Sequence, residues 1–437
     1  MSGIPTTGLN SQRWRHLLPI AFITYSFAYL DRSNYSLGAA GGLKASLHIT
    51  AGAAGLLGGL FFLGYFFFQI PAAHYAENRS VKKLMFWSLL FWGVFASAQG
   101  IIPWLWLLMV DRFLLGVVEA AVIPSMLIFL AHWFSSEERG RANTFLILGN
   151  PVTVLWMSAV SGYLISITSW QWMFIIEGLP AIAWAFVFRA LVEDRPRQAD
   201  WLPVQERQEI ETALAEDQRG MPKVSSYVDA FKQRNVVLLS IQYALWSIGV
   251  YGFVFWLPTI IKLGSHRGIA ATGLLSAVPY ALAAILMLVA SVFSDRSGKR
   301  KVYVWPFLLG GALAFYGSFL IGNHSFLGSY VLLILAAGMM YAPYGPFFAL
   351  ITDLLPQNVA GAAVALVNSF GALGGFVGAY VVGYLVGSGG KGSAFLFMGA
   401  SLAAAAILVI PVARMRAFGT KSSTADLDPG SSHAQAS

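Results

Sequence analysis

The sequence predicts an all-α integral membrane protein: twelve transmembrane helices in two six-helix bundles. Three observations carry the prediction. Apolar residues make up 57% of the 437-residue chain against 11% charged, with a mean hydropathy of +0.65, which excludes an ordinary soluble domain. Those apolar residues gather into runs of about 20, the length that crosses about 30 Å of hydrocarbon. The runs also repeat as two similar halves.

In chain order, the first six runs cover 17–38, 52–74, 83–102, 104–130, 142–166 and 170–191. The first is a full span interrupted by Asp31 and Arg32, and no small-residue cleavage pattern follows it, so it is not a removable signal peptide. Only Ile102-Pro103 separates the third from the fourth, so that turn must be tight. The fifth contains Asn150-Pro151. Six more runs cover 235–262, 270–292, 302–321, 328–350, 358–386 and 393–413. The domain boundaries are therefore an N-terminal bundle over 1–191, a polar central loop over 192–234, a C-terminal bundle over 235–416, and a tail over 417–437. The tail lacks an apolar period and has the composition of a disordered segment. Fourteen Trp and 32 Phe suit lipid-facing helices that end in aromatic belts.

Twelve spans put both termini on one side of the lipid bilayer, and charge says which. Of 28 Lys and Arg, Arg32 and Arg112 are intramembrane, and only Lys44, Lys262, Arg267 and Lys391 fall in the connections of one face. The rest lie on the other face with the termini and the central loop, which the positive-inside rule places in the cytoplasm. A net charge of +8 thus belongs to cytoplasmic loops, and no nucleic-acid motif accompanies it. Without cysteine there is no disulfide, thiolate metal site or cysteine nucleophile. His74, His132 and His266 stand at span ends without metal-ligand spacing. No metal and no cofactor is expected.

An internal repeat supports the count of spans. Ala72–Trp87 reads AAHYAENRSVKKLMFW and Ala290–Trp305 reads ASVFSDRSGKRKVYVW, offset by 218 residues, half of the chain. In each, an acid (Glu77, Asp295) follows a span, basic residues come next, and an aromatic-rich span begins. Both copies lie between the second and third spans of their half, the pattern of parallel six-helix repeats.

Over nearly its whole length the chain resembles the major facilitator superfamily. Asp295, Arg296, Gly298, Lys299 and Arg300 look like that superfamily's D-R-x-G-R-K gating loop. The first-half copy departs from it at Asn78, Ser80 and Val81, which weakens a gating role there. A narrower likeness, to the anion:cation symporter family, rests on Tyr29-Leu30-Asp31-Arg32-Ser33-Asn34, on Arg112 and Glu119 seven residues apart, on Trp172–Gly178, and on Glu193-Asp194-Arg195-Pro196. Arg195 stands there in place of a small residue. The resemblance implies inward proton movement coupled to uptake of small carboxylates, sugar acids and aromatic acids among them.

Charged side chains in hydrocarbon cost about 2.5–3.5 kcal/mol each on insertion scales, so they face a bundle interior or a water-filled cavity. Arg32 is the candidate carboxylate ligand, because its planar fork matches a carboxylate bidentately. The plainer reading is an internal ion pair with Asp31 or Glu119. Asp31 and Arg32 are adjacent on a helix and cannot face one another squarely. Asp31 and Glu119 are the candidate proton carriers: a carboxyl that alternates between a dry site and an arginine neighbour changes its proton affinity. Arg112, about 10 Å along the axis from Glu119, belongs to the charge network and organises an acid. Glu177, with no matching cation, reads as a packing or capping acid, and Asp111, near a helix end, as hydrated. Tyr29, Tyr65, Asn150 and Asn368 are candidate hydrogen-bonding groups for a hydroxylated substrate. Gly371, Gly374, Gly375 and Gly378 have small-xxx-small spacing, which serves close packing or a sliding interface.

These readings converge on an inner-membrane symporter, not an enzyme, that imports a small organic anion with a proton as coupling ion by alternating access. The leading substrate is a sugar acid, a ketoaldonate such as 2-ketogluconate or a hexonate. A monomer is expected. The rivals are a uniporter or exchanger for another carboxylate (tartrate, glucarate or an aromatic acid) and a non-transporting membrane sensor.

Overall fold

The computed structural model describes residues 12–219, 234–322, 324–354, 357–388 and 391–412. The side chain of Asp31 and the expected tail over 417–437 lie outside the described residues. Among the described residues the chain is helical without strands. The long helices are α1 (Gln12–Gly38), α2 (Ala51–Asn78), α3 (Val81–Ala98), α4 (Leu105–Glu119 continued by Val122–Trp133), α5 (Ser136–Ile147 continued by Gly149–Ile167) and α6 (Trp170–Leu191). The second half holds α7 (Arg234–Ser265), α8 (Ile269–Ser297), α9 (Trp305–Gly322), α10 (Phe326–Tyr341 continued by Tyr344–Leu354), α11 (Gln357–Gly387) and α12 (Lys391–Val409).

Eleven of these are long and apolar enough to cross a membrane. The remaining one, α1, has 27 residues, about 40 Å at 1.5 Å per residue, and its charged and polar residues lower its apolarity. Three helices are interrupted just ahead of or at a proline (Pro124 in α4, Pro151 in α5, Pro343 in α10), where a missing N–H and a ring clash break the ladder. Starts are capped by hydroxyls: Ser80 Oγ accepts from Lys83 N at 3.0 Å, and Thr50 Oγ1 from Ala53 N at 3.2 Å. The central loop, expected as plain polar chain, contains a helix, Val204–Arg219, and a 3₁₀ turn, Pro196–Gln198.

The two halves meet along two helix pairs, α2 with α11 and α5 with α8. Both joints are built by equivalent glycines. Gly55 in α2 and Gly273 in α8 are separated by the same 218 residues as Trp87 and Trp305. A Cβ at Gly55 would lie 2.6 Å from the Ala379 carbonyl oxygen and 3.2 Å from Gly383 Cα. One at Gly273 would overlap the Ser158 carbonyl oxygen and lie 2.9 Å from Gly162 Cα. His48 and His266, again at that offset, both take left-handed backbone, with φ of 50° and 53°. The duplication read from the loops therefore extends to backbone conformation and to the inter-bundle contacts.

These joints lie toward the face opposite the chain ends. There Lys262 Nζ donates to the Ala40 carbonyl at 2.7 Å, and Lys44 Nζ stands 5.5 Å from the Trp256 ring centroid. Burial first, and Lys262 second, hold the Lys44 ammonium below the ordinary lysine pKa. Nearer the terminal face, Ser369 Oγ donates to Gln69 Oε1 at 3.0 Å between α11 and α2. The glycine stripe of α11 packs differently from the sliding surface considered above. Gly371, Gly374 and Gly378 press on α7 within their own bundle, and Gly375 of the four meets the other bundle, at Phe62.

On the terminal face the repeated loops are clamped inside their own halves. In the first, Asp194 accepts from Ser80 Oγ at 2.6 Å and from Lys82 N at 2.8 Å, while Lys82 Nζ holds Glu193 at 3.1 Å. In the second, Arg300 pairs with Asp295, and Lys301 Nζ reaches the Ile410 carbonyl at 3.2 Å. Gly298 closes α8 at φ 64° by donating its N–H to the Ser294 carbonyl at 3.0 Å. That left-handed turn suits glycine. The equivalent position in the first copy, Ser80, is extended with φ −155° and needs no glycine, which accounts for the departure at that residue. Arg296 and Lys299 are exposed at this rim.

Candidate functional site

The buried charges all lie in the first bundle among the described residues. Tyr25, Tyr29 and Arg32 recur at spacings of three and four along α1, which aligns them on one face. Arg32 Nε donates to Glu119 Oε1 at 2.8 Å, and Nη2 stands 2.7 Å from the same oxygen. Both residues are buried, Glu119 completely. The Arg32 guanidinium carbon lies 4.8 Å from the ring centroids of Tyr29 and Tyr65 and 5.3 Å from that of Phe61. Those aromatic faces offset part of its desolvation.

Arg112, two turns before Glu119 on α4, is the second buried guanidinium. It stands 4.5 Å from the Tyr35 centroid and 5.4 Å from Phe61, and its Nη1 donates to Gln99 Oε1 at 3.3 Å. Phe61 is thus shared by two arginines. Glu177 accepts from Asn34 Nδ2 at 3.0 Å and from Ser161 Oγ at 2.6 Å, tying α6 to α1 and α5, which is the packing role read for it above. Asp111 is buried, not hydrated as expected. It falls on the α4 face that carries Leu108, Arg112 and Leu115 into the bundle.

Where the bundles meet at mid-depth there is a cavity of about 20 Å³, room for roughly one water. Tyr29, Arg32, Phe62, Tyr65 and Ile123 line it from the first bundle, and Tyr243, Tyr251, Asn368, Gly371 and Ala372 from the second. Four of the five residues expected to bind substrate, Tyr29, Arg32, Tyr65 and Asn368, are therefore brought together. Asn150 is not among the lining residues; it is buried in α5 with its Oδ1 lacking a hydrogen-bond partner. Glu119 is not a lining residue either. It holds Arg32 from α4 while Arg32 borders the cavity. Among the described residues, Asn368 Nδ2 has no hydrogen-bond partner at the cavity wall.

The residues that sequence reasoning missed are aromatic. Tyr243 and Tyr251 supply the second bundle's wall, and Phe62 packs on Tyr251 with centroids 4.4 Å apart. Tyr25 donates to the Tyr29 hydroxyl at 3.2 Å. A tyrosine inside an apolar span was the available signal, but 17 tyrosines diluted it.

The Major Facilitator Superfamily model matches residues 21–269 and 263–429. The chain belongs to the major facilitator superfamily. Among its relatives, a quinolone resistance transporter of Acinetobacter baumannii is 29% identical, with 84% of this chain and 86% of that protein covered. A protein of Agrobacterium vitis named for tartrate transport is also 29% identical, over 97% of this chain and 96% of its own length. The crystal structure of a D-xylose–proton symporter shares the fold, with a TM-score of 0.73 at 14% identity over 91% of this chain and 97% of that one. The chain is accordingly a multi-pass membrane transporter, not an enzyme.

Proposed function

We propose that this transporter imports a small hydroxylated carboxylate together with a proton. A sugar acid is the leading cargo: a ketoaldonate such as 2-ketogluconate, or a hexonate. The observation that carries the reading is Arg32, which borders the inter-bundle cavity while Glu119 engages it from α4. A guanidinium has five donors; Glu119 accepts the one on Nε, and its oxygen stands 2.7 Å from Nη2 as an ion pair. The remainder suit a substrate carboxylate, and the tyrosine hydroxyls and Asn368 suit its hydroxyl groups.

Coupling follows from charge. With Glu119 ionised, the pair is neutral and attracts an anion weakly. When Glu119 takes a proton, Arg32 regains its net charge and binds the carboxylate strongly. Release of substrate lets the proton leave and the pair re-form. Asp31, next to Arg32, is a second proton carrier in this reading, with Arg112 organising the network. Similarity to a protein named for tartrate transport supports the hydroxy-acid class. The cavity must open well beyond its present volume to admit any such acid, in keeping with alternating access between the bundles. The charge distribution supports an inner-membrane location with both termini cytoplasmic, and the Asp295–Arg300 loop then lies at the cytoplasmic gate.

The tyrosine-rich wall favours a second reading, an aromatic carboxylate stacked between Tyr29, Tyr65, Tyr243 and Tyr251. Uptake of 2-ketogluconate, gluconate, tartrate and benzoate into proteoliposomes, with and without an inward proton gradient, separates the two. Accumulation of a hydroxy acid that requires the gradient is expected. Uptake indifferent to the gradient would overturn proton symport. With Glu119→Gln we expect substrate exchange to persist and gradient-driven accumulation to vanish; accumulation by that variant removes Glu119 from coupling.

A further inference from the structure

A second pocket, of about 280 Å³, lies on the terminal face and shares no lining residue with the inter-bundle cavity. The last turn of α4 (Ala131, His132), the turn containing Arg195 and Arg197, and the loop helix Val204–Arg219 (Glu211, Leu214) enclose it. Its walls are fixed. Arg207 donates to the carbonyls of Ala199, Leu202 and Arg197. Trp201 stacks on Trp133 with centroids 5.7 Å apart, and the Trp133 indole donates to the Glu193 carbonyl at 3.2 Å.

The pocket's charge is unbalanced. Neither Arg195 nor Arg197 makes an ion pair among the described residues. The adjacent acids are occupied elsewhere, Asp194 by Ser80 and the Lys82 amide and Glu193 by the Lys82 ammonium. Glu211 is the one acid on the lining, and it is exposed on the outer helix. Two guanidinium forks exceed what a single carboxylate can satisfy. They match a dianionic phosphate, whose oxygens accept from several donors at once, with Leu214 and the alanines against the organic part.

We infer that this pocket binds a phosphate monoester at the terminal face, separately from the transported substrate. Bound there, the ester links the central loop to the end of α4. Glycerol 3-phosphate is the probe, since it is both a soluble phosphate monoester and the headgroup chemistry of phosphatidic acid. Calorimetric titration of the full-length transporter in detergent should give saturable binding to glycerol 3-phosphate and none to glycerol. Arg195→Ala/Arg197→Ala should weaken it at least ~10-fold, as expected for lost charge-assisted bonds, with an unchanged melting temperature. Glu211→Gln should tighten it, and Arg32→Ala should leave it intact. A parallel arm compares retention of phosphatidic acid and phosphatidylcholine in nanodiscs by native mass spectrometry. Loss of phosphatidic acid retention in the double variant, without binding of the soluble ester, would identify a lipid headgroup as the source. The inference fails if neither molecule binds, or if the double variant binds both as the parent does.

Discussion

Arg32 carries two duties that one substitution cannot separate. Arg32→Ala removes the proposed carboxylate ligand and also leaves Glu119 buried without this cation, an effect of about 3–5 kcal/mol for a broken buried pair. We expect the alanine variant to melt at lower temperature and to bind no substrate in a thermal-shift assay. Arg32→Gln/Glu119→Gln replaces the charges with neutral amides and should recover most of the melting temperature while binding stays absent. Binding by the double variant would place the carboxylate elsewhere. At this scale the sequence was informative but incomplete. It exposed Arg32, Arg112 and Glu119 because charge in hydrocarbon stands out, and it offered the Arg32–Glu119 pair as one alternative. Choosing between partners needed the distances, since Glu119 lies 87 residues away. Asp111 was misread because its distance from the helix end says nothing about which face it occupies.

At the scale of elements, glycines decide how the bundles meet. Gly55 and Gly273 let backbone approach backbone where any Cβ would collide. Gly55→Val and Gly273→Val should hold the bundles apart at the face opposite the termini and abolish transport, each by the same means. The chain has no cysteine, so single cysteines placed at exposed positions of that face report directly: their alkylation should be faster in both variants. Unchanged reactivity together with normal uptake would show that closure tolerates the side chains. Lys262→Ala removes the polar tie to the Ala40 carbonyl and should increase the same reactivity more modestly, consistent with about 1 kcal/mol for one hydrogen bond. The glycine stripe of α11 was legible from its spacing, but the helix it faces was not. Spacing fixes a face, and only packing supplies the neighbour.

For the whole molecule, the asymmetry of charge is the main feature. Among the described residues the first bundle contains the buried ions, and the second contributes Tyr243, Tyr251 and Asn368 to the cavity. Under the proposed function, proton and carboxylate chemistry belongs to one bundle, while the other acts as a neutral wall that moves. The basic loops predict both termini in the cytoplasm. Fusing green fluorescent protein, or alternatively alkaline phosphatase, to the C-terminus tests this: fluorescence without phosphatase activity is expected, and the reverse result would invert the topology.

Run length, charge placement and the 218-residue repeat determined the architecture without coordinates, because hydrocarbon imposes its thickness on every span and tolerates few charges. They also singled out the ionisable residues that a site would use. The tertiary structure decided which of them meet: that Arg32 is held by Glu119, that Asn150 stays away from the cavity, that tyrosines from both halves enclose it, and that the central loop folds into a basic pocket. Those outcomes depend on contacts between helices distant in sequence, whose rotations and crossings are set by packing and leave no periodic trace along the chain.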